Sequence, residues 1–186
     1  MKMQTYKIYD YYGKAYPDID WDAKIARTKF KELMQVKQER LFEIEQLLLK
    51  NDVKLDYSVE SLTSLNKFIC SELDEYKPKL DKNDPYCCEY AETSYFRSLA
   101  IDATLYLGEI LIKTDPDFLK WSLFKTNSKR LVYRHYPSVN NALFSTSIYL
   151  YIMRYLLDLN NEKDRFIFFY EEALMHFKRL EDKLKN

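Results

Sequence analysis

The sequence predicts a mainly α-helical protein: about five helices in a single domain spanning residues 1–186, with one β-hairpin at about 119–136 packed on the helices. The chain has two glycines and five prolines, fewer than β-sandwiches and glycine-rich nucleotide folds need for their turns. Apolar residues make up 47% of the chain, which is enough for a sizeable core. Those apolar residues recur at helical spacing along most of the sequence.

The first 20 residues are aromatic and acidic, and Gly13 and Pro17 interrupt them. This pattern predicts an extended N-terminal segment over residues 1–20 that is held by its aromatic side chains. A first helix is expected over 22–50, capped by Asp20 or Asp22. Its apolar positions lie near one helical face: Ile25, Phe30, Leu33, Leu41, Ile44 and Leu48.

Ser58 is expected to cap a second helix over 59–76. Its apolar side consists of Leu62, Leu65, Phe68, Ile69 and Leu73. A third helix is predicted to begin after Pro85 and to end near 113.

The hairpin follows from two alternating runs, LKWSLFK and RLVYRHY, separated by TNSK. Alternation around a short polar turn is typical of paired strands. Pro137 is expected to end the hairpin because proline cannot donate to a ladder. Two further helices are predicted over 140–158 and 162–184, the last with an apolar stripe at Phe166, Phe169, Ala173, Phe177, Leu180 and Leu184.

The third helix contains an unusual central segment, IDATLYLGEILI, in which an apolar run carries two carboxylates and a glycine. Polar side chains fall on one narrow strip: Ser98, Asp102, Tyr106, Glu109 and Lys113. Within the strip, Asp102 is positioned to meet Tyr106, and Glu109 to pair with Lys113 four residues later.

Three interpretations of the strip stay open. It is a solvated or internally hydrogen-bonded seam, a groove that receives a cation or a basic partner, or a carboxylate pair of a metal-dependent enzyme. The groove residues would be Asp102, Tyr106, Glu109 and Trp121. Gly108 weakens a helix interior by about 1 kcal/mol relative to Ala, so we expect the close approach of the hairpin, of helix 140–158 or of a ligand.

Charge is balanced overall, with 29 basic and 29 acidic residues. Proteins dedicated to binding nucleic acids usually have an excess of basic residues, so this balance argues against that function. Residues 51–92 hold ten acids and five bases, a net charge of −5, whereas residues 116–137 hold one acid and five bases, a net charge of +4. Dense carboxylates attract basic partners and accelerate their association. The candidate partner-binding residues are Glu72, Asp74, Glu75, Asp81, Asp84, Glu89 and Glu92.

No motif for catalysis, cofactor binding or metal binding is found in the sequence, and none of these sites is predicted. The two histidines lie outside any HExxH motif, and the pair Glu172 and His176 is typical of a surface helix. Adjacent Cys87 and Cys88 are expected to be ordinary thiols. An alternative function is a phosphate-ligand module in which the basic hairpin binds through Arg130 and Arg134.

The opening residues MKMQTYKIYDYYG lack the apolar core of a signal peptide. The longest apolar run contains Arg154 and is short for a membrane span. With three cysteines, these features predict a cytoplasmic protein with free thiols and no membrane partner.

The segments SLAIDATLYLGEILI, LKWSLF and YPSV resemble a pattern of small uncharacterised bacterial helical proteins, some of which resemble immunity proteins of toxin systems. The matching positions are Asp102, Tyr106, Gly108, Glu109, Trp121 and Pro137. They span about 98–139, roughly a quarter of the chain. The resemblance implies a non-enzymatic, immunity-type inhibitor and carries over no catalytic residue. Together with the acidic residues above, it predicts binding to a basic toxin or to another protein.

Overall fold

The computed structural model describes residues 6–11, 22–76, 94–125, 136–142, 144–156 and 165–185. These residues form five helices and a two-stranded antiparallel sheet, which confirms the mainly α-helical fold with one hairpin. The elements are α1 (Ala23–Leu49), α2 (Glu60–Tyr76), α3 (Ser94–Thr114), β1 (Trp121–Leu123), β2 (Pro137–Val139), α4 (Phe144–Leu156) and α5 (Arg165–Lys185).

The first two helices begin at the caps that the sequence predicts. Asp22 Oδ1 accepts hydrogen bonds from the backbone N–H groups of Lys24 and Ile25, each at 2.8 Å. Ser58 Oγ accepts from the N–H of Ser61 at 3.2 Å. Both oxygens satisfy N–H groups that have no partner within the helix.

The central element is α3, which contacts the four other helices and β2. Its sequence is apolar almost all round, and such a helix is stable only when it is covered on most sides. Eight of its side chains have 0% exposure: Ser98, Leu99, Asp102, Ala103, Leu105, Tyr106, Leu107 and Leu111. The remaining helices therefore assemble around α3.

The second strand differs from the sequence prediction. It comprises Pro137–Val139, and Pro137 lies opposite Leu123 instead of ending the hairpin. The N–H of Phe124 donates to Tyr136 O at 2.8 Å, so the next pair, Leu123 and Pro137, is a non-hydrogen-bonded pair. Proline is tolerated there because no ladder hydrogen bond needs its nitrogen. The predicted run 130–135 and its turn lie outside the described residues.

Three smaller expectations are also corrected. Ile25 and Leu184, assigned to apolar stripes, are 45% and 75% exposed because they lie in the terminal turns of α1 and α5. The fourth helix begins at Phe144 and not near 140, because Asn140 and Asn141 have φ of 40° and 69°. Asparagine adopts this left-handed backbone conformation more readily than most residues. A right-handed α-helix cannot include residues in that conformation, so the helix begins after them.

The N-terminal strap, residues 6–11, lies against α1 and α3. Tyr6 and Tyr11 are 6% and 2% exposed and belong to the same hydrophobic core as the helices. This agrees with the expected anchoring by aromatic residues; the rest of the predicted segment 1–20 lies outside the described residues. None of the helices in the described part of the chain is long and apolar enough to cross a membrane.

Gly108 allows β1 to approach α3. A Cβ built on Gly108 would lie 2.2 Å from Cη2 and 2.3 Å from Cζ2 of the Trp121 indole. These distances are far below van der Waals contact. Of the neighbours expected to approach Gly108 closely, the hairpin is therefore the one that does.

We predict that Gly108→Ala destabilises the fold by about 1–3 kcal/mol through overpacking, although alanine normally favours a helix. With Trp121→Ala in the background, the same substitution should stabilise by up to about 1 kcal/mol, because the clash is gone and helix propensity remains. Urea unfolding of the four proteins of this double-mutant cycle measures both values. Destabilisation of equal size in both backgrounds would contradict the assigned contact.

Candidate functional site

Asp102, the first carboxylate of the α3 strip, forms a buried ion pair with Arg40 of α1. Arg40 Nε donates to Oδ1 at 2.9 Å, and Arg40 Nη2 donates to Oδ2 at 2.6 Å. The two side chains are 2% and 0% exposed. This two-pronged arrangement is the strongest geometry available to a guanidinium and a carboxylate. It binds α1 to α3 at the middle of both helices.

The remaining donors of the pair connect it to the N-terminal strap. Tyr6 Oη donates to Asp102 Oδ2, and Arg40 Nη2 lies 2.9 Å from Tyr6 Oη and 3.1 Å from Ser98 Oγ. Arg40 Nη1 donates to the backbone carbonyl of Lys7. Buried charges are stable only when such hydrogen bonds satisfy them, so the strap completes the ion pair.

Two aromatic rings of the strap cover the guanidinium. Arg40 Cζ lies 5.2 Å from the ring centroid of Tyr6 and 5.6 Å from that of Tyr9. The N–H of Tyr9 donates to Ser98 Oγ at 2.9 Å, which fixes the strap to α3. Cation–π contact adds to the electrostatic stabilisation of a guanidinium that is out of contact with water.

Burial raises the pKa of Asp102 to about 6, against the opposing effect of the hydrogen bonds from Arg40 and Tyr6. Burial also raises the pKa of Tyr6 well above its ordinary value, with Asp102 the second cause. The tyrosine hydroxyl therefore keeps its proton and remains a donor to the carboxylate.

Glu109, the second carboxylate of the strip, is also neutralised by α1. Its Oε1 accepts from Lys37 Nζ at 2.6 Å and from the Trp121 indole N–H at 2.7 Å. The expected pair with Lys113 is wrong, because the Lys113 ammonium lies 4.1 Å from the ring centroid of Tyr57. Lys37 therefore takes the place that the sequence assigned to Lys113.

Tyr106 does not meet Asp102 as the sequence suggested. Its hydroxyl lies 2.6 Å from Ser61 Oγ and accepts from the N–H of Tyr57 at 2.9 Å. Tyr57 has a φ of 61°, a strained value for an aromatic residue. Tyr57 Oη donates to Glu45 Oε1 at 2.5 Å, so hydrogen bonds at both ends of the residue hold this conformation.

The strip is thus an internally hydrogen-bonded seam. Asp102 and Tyr106 have no exposed surface, so these two residues do not line an open groove with Glu109 and Trp121. A metal ion at the carboxylates would have to displace Arg40 and Lys37. No cluster of three or more His, Cys, Asp or Glu side chains suited to a metal occurs among the described residues.

The acidic end of α2, defined here as Glu72, Asp74 and Glu75, is arranged differently. Tyr95 Oη donates to Glu72 Oε2 at 2.7 Å, and Tyr155 Oη lies 3.1 and 3.2 Å from the two Asp74 oxygens. Within the described part of the chain, none of the three carboxylates forms an ion pair. Asp74 and Glu75 are exposed.

A groove runs between α2 and α4 beside the acidic end. It encloses about 620 Å³ and is lined by Asn66, Lys67, Cys70, Ser71, Asp74, Glu75 and Tyr155. The Cys70 sulfur, which the sequence places on an apolar face, lies 3.2 Å from Tyr151 Oη. Burial, followed by the hydrogen bond to Asp74, raises the pKa of Tyr155, so that its hydroxyl remains a donor to the carboxylate.

A second groove, of about 310 Å³, lies between α4 and α5 and includes Glu172 and His176. His176 Nε2 is 3.4 Å from Asn140 O, which agrees with the interpretation as part of a helix surface.

Several candidate residues lie outside the described part of the chain: Asp81, Asp84, Cys87, Cys88, Glu89, Glu92, Arg130 and Arg134.

Sequence reasoning did not identify Arg40 or Asn66. Arg40 follows Leu33 by seven residues and precedes Ile44 by four, so it falls on the apolar face of α1. A lone charge on such a face is a detectable signal for a buried ion pair. Asn66 offered a weaker signal of the same kind between Leu65 and Phe68.

We predict that Asp102→Asn destabilises the fold by about 3–5 kcal/mol, because the amide nitrogen that replaces one carboxylate oxygen is a donor that faces the donors of Arg40 and Tyr6 and leaves them buried without an acceptor. The matched control is Asp10→Asn, which breaks the ion pair with Arg97 at the surface, where the side chains are 30% and 17% exposed. That change should amount to less than about 1 kcal/mol. Equal losses in chemical denaturation would contradict the role assigned to the buried pair.

We also predict that Asp102 titrates with a midpoint near pH 6 in the folded protein. An unfolded chain releases this proton near pH 4. The stability contributed by the bound proton is therefore present in acid and is lost as the pH rises through about 6.

Carboxyl ¹³C NMR measures the midpoint, and Asp56 in the same spectrum is the comparison, because hydrogen bonds from Ser58 lower its pKa. A midpoint for Asp102 below that of Asp56 would show that Arg40 outweighs burial.

Comparisons of the chain with protein-family models, with curated proteins and with solved structures find no match. The residues that carry the resemblance to immunity-type proteins include Gly108, Glu109 and Trp121, which hold α3 against the hairpin. Its functional implication stays a prediction, and function has to be argued from the geometry of this chain.

Proposed function

We propose that this protein is a non-enzymatic binding protein, an immunity-type inhibitor that binds a basic, toxin-like partner through the acidic end of α2. The proposal is supported by how the chain uses its carboxylates. Asp102 and Glu109 accept from cations of α1, whereas among the described residues Glu72 and Asp74 accept only tyrosine hydroxyls and Glu75 has no cation beside it. This contrast is the observation that carries the proposal.

The position of the acidic end adds to the argument. Three carboxylates in the last turns of a helix lie at the negative end of its macrodipole and repel one another. No described lysine or arginine relieves this repulsion by an ion pair. A cationic partner would relieve it, and it would be attracted over a distance before contact.

Tyrosines hold two of the three carboxylates of the acidic end, Glu72 and Asp74. Tyr95 comes from α3 and Tyr155 from α4, so two helices fix the orientation of carboxylates on a third. Preorganised acceptors lose little conformational freedom when a partner binds. The inhibitory role and the toxin-like partner rest on the resemblance of the segment 98–139.

We predict that Glu75→Gln weakens partner binding yet stabilises the free protein by a few tenths of a kcal/mol, since it removes an unfavourable charge at a helix C-terminus. The matched control is Glu60→Gln in the first turn of the same helix. It should slightly destabilise the protein and leave binding unchanged.

The partner is captured on tagged full-length protein at low and at moderate salt, and it is identified by mass spectrometry. The captured protein is then titrated against the wild type and both variants. A basic partner that is lost with Glu75→Gln and with salt supports the proposal. Binding that is insensitive to Glu75→Gln and to salt would refute it, as would the absence of any stoichiometric partner.

A further inference from the structure

The α2–α4 groove offers mainly hydrogen-bond acceptors. Asp74 and Glu75 lie at its rim with exposed carboxylates, and Lys67 is the one cation among its described lining residues. The volume of about 620 Å³ is within the range of pockets that hold small ligands, which is roughly 300–1,000 Å³. The groove can therefore take a whole side chain with its flanking backbone.

Asn66 supplies a third acceptor at the base of the groove. The residue is 2% exposed, and its Oδ1 has no hydrogen-bond donor among the described residues. Its Nδ2 lies 3.9 Å from the sulfur of Cys70, one turn along α2. Buried acceptors are almost always satisfied in folded proteins, so this oxygen requires a donor from elsewhere.

Tyr155 orients one of the rim acceptors and adds an aromatic surface. Its hydroxyl bonds to both oxygens of Asp74, which restrains the rotation of that carboxylate. The ring lies in the wall of the groove. The groove thus combines a buried amide oxygen, an oriented carboxylate, a second carboxylate and an aromatic residue.

We propose that the α2–α4 groove binds an arginine side chain of the basic partner. This inference rests on the proposed function and names the group that the acidic end recognises. A guanidinium carries five N–H donors in a planar fork, pairs with carboxylates in two-pronged fashion and stacks on aromatic rings. Asp74 and Glu75 receive the fork, and Asn66 Oδ1, which is fully buried, accepts the deepest donor once its amide turns toward the groove.

Other ligand classes fit the groove less well. Anions would meet two carboxylates and a carbonyl oxygen. A lysine ammonium would carry the right charge, but as a compact point charge it does not match acceptors spread over the rim and the base. The proposal is therefore specific for the guanidinium fork as well as for positive charge.

The test uses the full chain and three small probes: Nα-acetyl-arginine amide, its neutral isostere Nα-acetyl-citrulline amide, and Nα-acetyl-lysine amide. Binding is followed in ¹H–¹⁵N NMR spectra, with attention to the side-chain amide of Asn66 and the backbone of Cys70 and Ser71. The arginine probe should shift these signals. The citrulline probe should bind at least about tenfold more weakly, because a charge-assisted hydrogen bond becomes a neutral one.

Three variants locate the binding site. Asp74→Asn and Glu75→Gln should each reduce the affinity for the arginine probe several-fold. Asn66→Ala should reduce the ratio of the affinities for the arginine and lysine probes. Glu60→Gln, at the other end of α2, should leave the binding of all three probes unchanged. Since Asp74 and Glu75 are exposed, their variants keep the test valid even if Asn66→Ala fails to fold.

Equal binding of the three probes, or signals that shift away from the groove, would overturn the inference. This failure is distinct from failure of the proposed function. If a captured partner is lost with Glu75→Gln while the arginine probe leaves the groove unaffected, the acidic end is a docking surface without an arginine pocket. If the probe binds as expected but no partner is captured, the proposed function fails instead.

Discussion

The fold depends on the ion pair between Arg40 and Asp102. A guanidinium and a carboxylate that are 2% and 0% exposed would be strongly destabilising if either stood alone. The pair joins α1 to the central helix α3, and its remaining hydrogen-bonding capacity is satisfied by the strap. Burying these two charges therefore requires all three elements to be in place together. An apolar contact of the same size would tolerate sliding of one helix along the other, whereas this pair fixes their register.

The same principle divides the carboxylates of the molecule into two kinds. The carboxylates of α3 form ion pairs with cations of α1. Arg40 and Asp102 pair in the buried centre of the interface, and Lys37 and Glu109 pair at its more exposed edge. Those at the end of α2 have no cation among the described residues, and two of them, Glu72 and Asp74, are held by tyrosines. Natural proteins accept unfavourable local charge mainly where function requires it. The uneven use of counter-charges, more than the number of acids, distinguishes a candidate binding surface from a structural seam.

The sequence supports prediction of the helices, both N-terminal caps, the central position of α3 and the reason for Gly108, because each depends on local spacing or on one residue. Contacts between residues far apart in the sequence are predicted less well. The partners of Asp102 and Glu109 lie 62 and 72 positions away, and nothing local indicates that they outcompete Tyr106 and Lys113. The pairing of Pro137 with Leu123 is not predicted, because a proline suggests the end of a strand. Pro137 fits in the sheet because it occupies a non-hydrogen-bonded pair. Which pairs are hydrogen-bonded depends on the strand register, and the pattern of apolar residues does not encode that. The α2–α4 groove combines residues from two helices and could not be seen in either one alone.

The strap also has a consequence for how the chain is made. Tyr6 and Asp102 are 96 positions apart. At translation rates of about 5–20 residues per second, Tyr6 is synthesised roughly 5–20 s before Asp102. During that interval α1 presents Arg40 on its apolar face without a counter-charge, and the strap has no α3 to bind. The nascent chain therefore cannot bury its first helix stably as it emerges. Stable burial of α1 therefore waits for α3, so the strap, although it is synthesised before α1, is among the last described parts to reach its folded position.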